Sequence, residues 1–311
     1  MSMRETLVVK TDNEKFEDWQ NALAGCDLDI INWDCVTNRN AVDFALVWKP
    51  PPGALAGFPN LKIIFSVGAG IDHLREDGVL PPGIPVIRMV DELLTAGMVE
   101  YVLFHVLRFH RFMPQYEQHQ PAHFWQPIRQ VPARNRTVGI LGLGEMGQAA
   151  ARALASLGFD VIGWSRSEKT IEGVTGYFGP SQLDSLLSRS EILVCLLPLT
   201  DQTYQILNAE NLAKLPRGAN IVSAGRGGHQ VESDIMNALD NGQLAGAALD
   251  VFETEPLPGH HPLWDRKNIY ITPHIASMTV PASSAAHVCN NIVRYRNGEA
   301  LTHVVDMERG Y

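Results

Sequence analysis

The sequence predicts an α/β protein built from two parallel-sheet domains, and three observations carry that expectation. The chain has 311 residues, a length that suggests two domains. Short apolar runs alternate with helix-like stretches along most of it, and strands alternating with helices imply a parallel sheet. A glycine loop, Gly142-Leu143-Gly144-Glu145-Met146-Gly147, lies between an apolar run and a helical pattern. That context belongs to a doubly wound domain whose first turn meets a phosphate.

Four apolar runs come early: Leu7–Val9, Phe44–Val47, Ile63–Val67 and Val86–Ile87. Each is bounded by Gly, Pro, Asn or Asp, so each reads as a strand stopped by turn chemistry. Helix-like stretches such as Phe16–Leu23 separate them. A longer helical pattern runs from Asp91 to Arg111, with Leu94, Met98, Val102, Val106 and Phe109 spaced three or four apart. The segment Pro114–Arg136 is polar and rich in Pro, Gln and His, and reads as a surface connection. A second series then follows, with strands at Val138–Leu141, Val161–Trp164, Ile192–Leu197, Ala219–Val222, Gly246–Leu249 and Ile269–Ile271. Helices fit between these strands, for example at Gln148–Leu157 and Glu232–Asn241, and a last helix spans Ser283–Tyr295. This is the strand count and order of a dinucleotide fold.

Composition narrows the function classes. Hydrophobic residues make up 45% and charged residues 19%, an ordinary globular balance with ample core material. The net charge of −9 argues against broad nucleic-acid binding, which needs clustered Lys and Arg. Met1–Asp18 has no apolar signal core, and the longest apolar stretch, Leu93–Leu107, is too short to span a membrane. A cytoplasmic location is expected. Cys26, Cys35, Cys195 and Cys289 form no C-x-x-C pair, so four free thiols are expected. His260-His261 has no third ligand spaced nearby, so no metal site is expected.

The glycine loop has a physical logic. Gly142 permits the tight turn, Gly144 lets a pyrophosphate approach the backbone, and Gly147 packs helix on strand. Glu145 and Met146 open the helix whose free N–H groups meet the phosphates. Cofactor choice is read at the tip of the second strand, where an acid selects NAD. Here the tip reads Trp164-Ser165-Arg166-Ser167, with no acid. Arg166 can pair with a 2′-phosphate, and Ser165 and Ser167 can donate hydrogen bonds, so NADPH is expected over NADH. A solvated loop arginine is the alternative, with Glu168 nearby. Downstream stand Arg226 in Ala224-Gly225-Arg226-Gly227, Glu255 before Pro256, and His274 after Pro273. Arginine clamps a carboxylate, histidine passes a proton, and glutamate holds that histidine charged.

The motif order resembles the D-2-hydroxyacid dehydrogenase family: the glycine loop, then Ala224–Gly227, Ala248-Leu249-Asp250-Val251-Phe252, Glu255-Pro256-Leu257, Pro262-Leu263-Trp264 and Ile271-Thr272-Pro273-His274. Within the family, the chain resembles most the bacterial glyoxylate/hydroxypyruvate reductase A group. The supporting segments are Ala45–Pro51, Val67–Asp72, Trp125-Gln126-Pro127 and the ending Arg309-Gly310-Tyr311.

The resemblance implies a Rossmann cofactor domain over 99–280 and a discontinuous flavodoxin-like substrate domain over 1–98 and 281–311, with the active site in the cleft between them. It implies that His274 protonates the carbonyl oxygen, Glu255 pairs with it, and Arg226 binds the substrate carboxylate. Asp250, Ala224, Leu197 and Pro198 would line the cofactor, with Asp250 orienting the nicotinamide carboxamide; a cap or a buried structural hydrogen bond is the alternative for Asp250. The amides of Gly68, Ala69 and Gly70 would complete the carboxylate cradle, and Trp48 would touch substrate, although a half-buried structural tryptophan fits its sequence as well. Small 2-oxo acids, glyoxylate and hydroxypyruvate, are the implied substrates, and a homodimer the implied assembly. A bulkier acid such as phenylpyruvate, and a dinucleotide-sensing corepressor, are the alternatives. The chain departs from the family by lacking an asparagine just before Arg226. It carries glutamate at position 255, where the formate-oxidising branch carries glutamine.

Overall fold

A computed structural model describes residues 4–12, 14–75, 80–307 and 309–310. Met1–Met3, at the start of the stretch read for a signal core, and Tyr311 of the C-terminal motif lie outside the described residues. The chain divides into two compact units. Unit 1 takes the residues up to Leu94 and from Met278 onward, and unit 2 takes Thr95–Ser277. The first break, at Leu94/Thr95, and the expected one at 98/99 both fall inside the helix Glu92–His110, and the second break falls at Ser277/Met278 against the expected 280/281.

Unit 1 holds a five-stranded sheet of β1 (Thr6–Lys10), β2 (Asp29–Asn32), β3 (Val42–Val47), β4 (Ile63–Ser66) and β5 (Val86–Ile87), in the order β2-β1-β3-β4-β5. All pairs are parallel. This is the flavodoxin-like order. Strands buried on both faces read as continuous apolar runs, as in β4, Ile63-Ile64-Phe65-Ser66, which is buried throughout.

Unit 2 holds a seven-stranded parallel sheet of β6 (Thr137–Leu141), β7 (Asp160–Ser165), β8 (Val174–Phe178), β9 (Ile192–Cys195), β10 (Ala219–Ser223), β11 (Leu244–Leu249) and β12 (Ile269–Ile271). Its order is β12-β11-β10-β9-β6-β7-β8, the dinucleotide-binding order with one strand added. Successive side chains leave the sheet on opposite faces. Ile192 and Val194 join one core cluster with Val138 and Ile140, while Leu193 and Cys195 join a second with Leu141. The long helix packs as its spacing predicts, with Leu94, Met98, Val102, Val106 and Phe109 all buried.

Four expectations need correction. Strands β2 and β8 were not foreseen, because both are sheet edges with mostly half-buried or exposed residues and no apolar run. The connection after residue 112 contains a helix, Met113–His119, which buries no residue and so leaves no apolar stripe. Cys26 and Cys289 are joined as a disulfide, leaving Cys35 and Cys195 free. Their Cα atoms are 5.4 Å apart although 263 residues separate them in sequence. Spacing along a chain says nothing about such a tertiary approach. The disulfide ties the two segments of unit 1 together, as does the pair of Arg296 with Glu5 at 2.8 Å. Among the described residues, no helix is long and apolar enough to cross a membrane.

Candidate active site

In unit 2 the residues singled out for cofactor and chemistry lie at the carboxyl ends of strands or on the segments that follow them, where open α/β sheets bind ligands. The strand order reverses between β6 and β9, and the glycine loop leaves β6 at that point. Gly142 has φ +101°, and a Cβ there would meet the Leu196 carbonyl oxygen at 2.7 Å. A Cβ on Gly147 would overlap the Gly142 carbonyl. Neither position admits a side chain. Around Gly144 a Cβ would meet nothing within 4 Å, so the backbone stands open to a ligand. Gly144 is the N-cap of the helix Glu145–Ser156, and no side chain caps that end. Its first N–H groups, beginning with those of Glu145 and Met146, suit a pyrophosphate.

The remaining residues named for the cofactor fall around this loop. Leu197 is buried and Pro198 half-buried beyond β9, with Pro198 accepting a hydrogen bond from Thr203 Oγ1 at 2.7 Å. Ala224 is buried beyond β10 and donates its N–H to the Cys195 carbonyl at 3.2 Å. At the end of β7, Ser165 is buried and bonds the Ser167 carbonyl at 2.7 Å, while Arg166 and Ser167 are exposed. No carboxylate stands at that tip. The residues present therefore fit a dinucleotide, and the exposed guanidinium fits one with a 2′-phosphate.

The acid–base pair is explicit. His274 Nδ1 lies 2.9 Å from Glu255 Oε2. A carboxylate accepts, so Nδ1 carries the proton and Nε2 is left for another partner. The second oxygen, Glu255 Oε1, accepts the Phe252 N–H at 3.1 Å. The Glu255 loop is pinned from below. Buried Glu232 accepts the Glu253 N–H at 3.0 Å and pairs with His261 Nε2 at 3.2 Å, and Gln230 donates to the Val251 carbonyl at 2.7 Å. Arg226 belongs to the same assembly, because a Cβ on its neighbour Gly227 would overlap the Phe252 carbonyl. Only glycine lets the two backbones pack this closely. Arg226 donates its N–H to His229 Nδ1 at 3.0 Å and its Nη1 to the Gly225 carbonyl at 2.7 Å.

Asp250 is buried and anchors the segment that carries His274. The N–H groups of His274, Ile275 and Ala276 all converge on it, each at 2.8 Å, the first on its carbonyl and the others on its two carboxylate oxygens. His274 has φ +56°, in the left-handed region. A left-handed residue turns successive N–H groups toward one anion, forming a nest. The strained backbone of His274 and the carboxylate of Asp250 thus require each other.

Unit 1 carries its own candidates at strand ends. Trp48 follows β3, and the turn Gly68-Ala69-Gly70 follows β4. The Trp48 ring lies on the turn, so a Cβ at Gly68 would meet it at 2.6 Å, and it packs at a tilt against the His73 ring with centroids 4.2 Å apart. Fully buried Ser66 organises the turn. Its hydroxyl lies 2.9 and 3.1 Å from the Gly68 and Gly70 carbonyls and accepts the Gly68 N–H at 3.2 Å. Of the three amides expected to face a ligand, that of Gly68 is engaged within the turn. Among the described residues, no group of three or more His, Cys, Asp or Glu is placed to hold a metal ion.

Comparison with known proteins fits this geometry. The family described as "D-isomer specific 2-hydroxyacid dehydrogenase, NAD binding domain" matches residues 103–276. The chain belongs to this family. It is 42% identical over 284 residues to the glyoxylate/hydroxypyruvate reductase A of Serratia proteamaculans, covering 90% of each chain. A family member from Xanthobacter autotrophicus, solved in complex with NADPH and MES, is 42% identical with a TM-score of 0.95, over 99% of this chain and 100% of that one. The NADPH-dependent glyoxylate/hydroxypyruvate reductase of Sinorhizobium meliloti, in complex with NADP and sulfate, is 42% identical with a TM-score of 0.91, over 98% of this chain and 100% of that one.

Sequence reasoning missed Ser66, His229, Gln230 and Glu232. They act on backbone or on other side chains, and no spacing marks them. His229 carried one usable signal, since it sits three residues beyond Arg226 in the same glycine-rich turn.

Proposed function

We infer that this chain reduces small 2-oxo acids, glyoxylate to glycolate and hydroxypyruvate to D-glycerate, with NADPH preferred over NADH. The observation that carries the reading is the His274–Glu255 pair at 2.9 Å, at the carboxyl end of the sheet that also bears the glycine loop. NADPH, when bound, supplies the hydride that adds to the substrate carbonyl carbon. His274 gives the carbonyl oxygen a proton from Nε2, while Glu255 holds Nδ1 and stabilises the imidazolium. Arg226 holds the substrate carboxylate and draws electron density from the carbonyl. On unit 1 itself, the Ala69 and Gly70 amides and the Trp48 ring are the groups proposed to meet substrate. Gly142, Gly144 and Gly147 with Glu145 and Met146 cradle the pyrophosphate. Arg166 and Ser167 take the 2′-phosphate, while the Ser165 hydroxyl, whose one proton goes to the Ser167 carbonyl, shapes the turn beneath them instead of donating to the phosphate as expected; Leu197, Pro198 and Ala224 bound the cofactor. Asp250 holds the carboxamide through the acceptor capacity left on Oδ2, which takes one protein hydrogen bond.

Initial rates of NADPH and NADH oxidation with glyoxylate, hydroxypyruvate and phenylpyruvate test this directly. Fast turnover of the two small acids with NADPH is expected. Turnover of phenylpyruvate alone would overturn the substrate assignment, and no turnover at all would sink the enzymatic reading.

The same reading includes a cytoplasmic location and a homodimer. Phe104, Leu107, Met113, Phe124 and Trp125 are exposed, Trp125 almost completely at 98%. A second copy of this chain is the proposed cover for these side chains. A monomer by sedimentation equilibrium would refute it.

A further inference from the structure

Tyr101 and Thr272 have no assigned role, yet they form a directed chain of hydrogen bonds that ends on the carboxylate anchoring His274. Thr272 Oγ1 lies 2.6 Å from Asp250 Oδ1, and Tyr101 Oη lies 2.8 Å from Thr272 Oγ1. The direction is settled by counting protons. A hydroxyl has one hydrogen, and a carboxylate only accepts. Thr272 therefore spends its proton on Asp250, so Tyr101 must be the donor to Thr272. Burial pushes the Tyr101 phenol up, and the nearby Asp250 charge pushes the same way, so the hydroxyl keeps its proton throughout the working range of the enzyme.

We propose that Tyr101 and Thr272 are positioning residues for His274. Asp250 must accept from Ile275 and Ala276 at once to keep His274 left-handed. Its Oδ1 is shared between Ile275 N–H and the Thr272 hydroxyl. The hydroxyl fixes the carboxylate rotamer from the β12 side, and Tyr101 fixes that hydroxyl from the helix Glu92–His110. The relay thus connects the helix Glu92–His110 to the backbone torsion that aims the imidazole. Without it the carboxylate is free to rotate out of the nest, and His274 can relax toward the extended region that most residues prefer. Nε2 then leaves its line to the substrate oxygen. Chemistry should suffer most, because neither hydroxyl touches the glycine loop or Arg226, while NADPH loses only what Asp250 gives its carboxamide.

The proposal rests on His274 as the proton donor, and the test separates the two. Thr272→Val removes the hydroxyl at nearly constant shape, Thr272→Ser restores it, and Tyr101→Phe removes only the terminal donor. In Thr272→Val, kcat with glyoxylate and NADPH is expected to fall about 10-fold or more, within the roughly 100-fold that a 1 Å misplacement costs. The KM for glyoxylate should stay near its wild-type value, and the Kd for NADPH should rise by less than kcat falls, because the glycine loop and the tip of β7 still hold the dinucleotide. Thr272→Ser should recover most of kcat, and Tyr101→Phe should give a smaller loss in the same parameter.

The second readout needs no turnover. Long-range proton–nitrogen spectra of 15N-histidine-labelled protein, with His274 assigned by its loss in His274→Gln, should show its ring shifts displaced in Thr272→Val and restored in Thr272→Ser. Displaced shifts with no activity even in the wild type would uphold the relay and sink the reductase reading. Unmoved shifts and unchanged kcat in Thr272→Val would overturn the relay. So would a kcat loss that Thr272→Ser fails to rescue and that tracks a fall in Tm.

Discussion

Beyond its strand ends the seven-stranded sheet of unit 2 carries the glycine loop and the ionisable candidates Arg226, Asp250, Glu255 and His274, whereas the candidates at the strand ends of the five-stranded sheet of unit 1 are glycines and an indole. Both sheets are parallel and both reverse strand order at one point. At the unit 2 reversal the chain places Gly142, Gly144 and Gly147, with an uncapped helix end behind them. At the unit 1 reversal, after β1, it places Lys10, Thr11 and Asp12 with no glycine, and Lys10 and Asp12 pair with each other at 2.9 Å. Equal architecture therefore gives unequal chemistry. A reversal point provides a crevice, and the residues set there decide whether a phosphate can enter.

The sharpest division concerns proton transfer and charge. His274→Gln is expected to lower kcat by roughly 10²–10⁴-fold, the usual contribution of a general acid. Arg226→Ala should cost roughly 10²–10³-fold and raise KM as well, because its contact exists in both ground and transition states. Steady-state kinetics with glyoxylate reads both. Near-normal turnover in either variant would remove unit 2 as the seat of the chemistry.

The glycines separate the units by parameter. Gly147→Ala drives a Cβ into the Gly142 carbonyl, a backbone atom that cannot yield cheaply. It should weaken NADPH binding by about 10²-fold and destabilise the fold by about 1–3 kcal/mol. Gly68→Ala drives its Cβ into the movable Trp48 ring. It should raise the KM for the 2-oxo acid by about tenfold and leave the NADPH Kd alone. Fluorescence titration of NADPH distinguishes them, and equal effects on both ligands would erase the contrast.

At the tip of β7, Arg166→Ala should reduce the preference for NADPH over NADH by about 10–100-fold, the value of one or two hydrogen bonds to a charged group. An unchanged ratio of kcat/KM values would return Arg166 to a solvated loop.

The smallest effect concerns stability. Burial, aided by Arg108, lowers the His105 pKa to about 4. An unfolded histidine near 6.5 takes up protons that the folded one refuses. Stability from this site is therefore complete above about pH 6.5 and lost as pH falls toward about 4. The loss is on the order of 1–2 kcal/mol once solvent screening is allowed for. Tm measured across that range should fall less steeply in His105→Leu, and parallel curves would refute the assignment.

Much of the fold and of the candidate site is legible in the sequence. The apolar runs of β3, β4, β6, β9 and β10 announce themselves because parallel strands are buried on both faces. Edge strands β2 and β8 do not, since half their residues meet water. Gly142 and Gly147 are readable because a steric requirement falls on both within one short loop, and Gly144 because it stands between them at the helix start. Arg226, Glu255 and His274 are readable through their flanking glycines and prolines. What the sequence by itself determined is thus local: strand identity, the turn that admits a phosphate, and the residue types that can hold a carboxylate and move a proton. Tertiary structure alone decided which distant groups meet. It brought Cys26 to Cys289, Glu232 beneath the Glu255 loop, and Tyr101 through Thr272 to Asp250. Hydrogen bonds act over about 3 Å, and folding, not sequence spacing, sets every distance of that size between residues far apart in the chain.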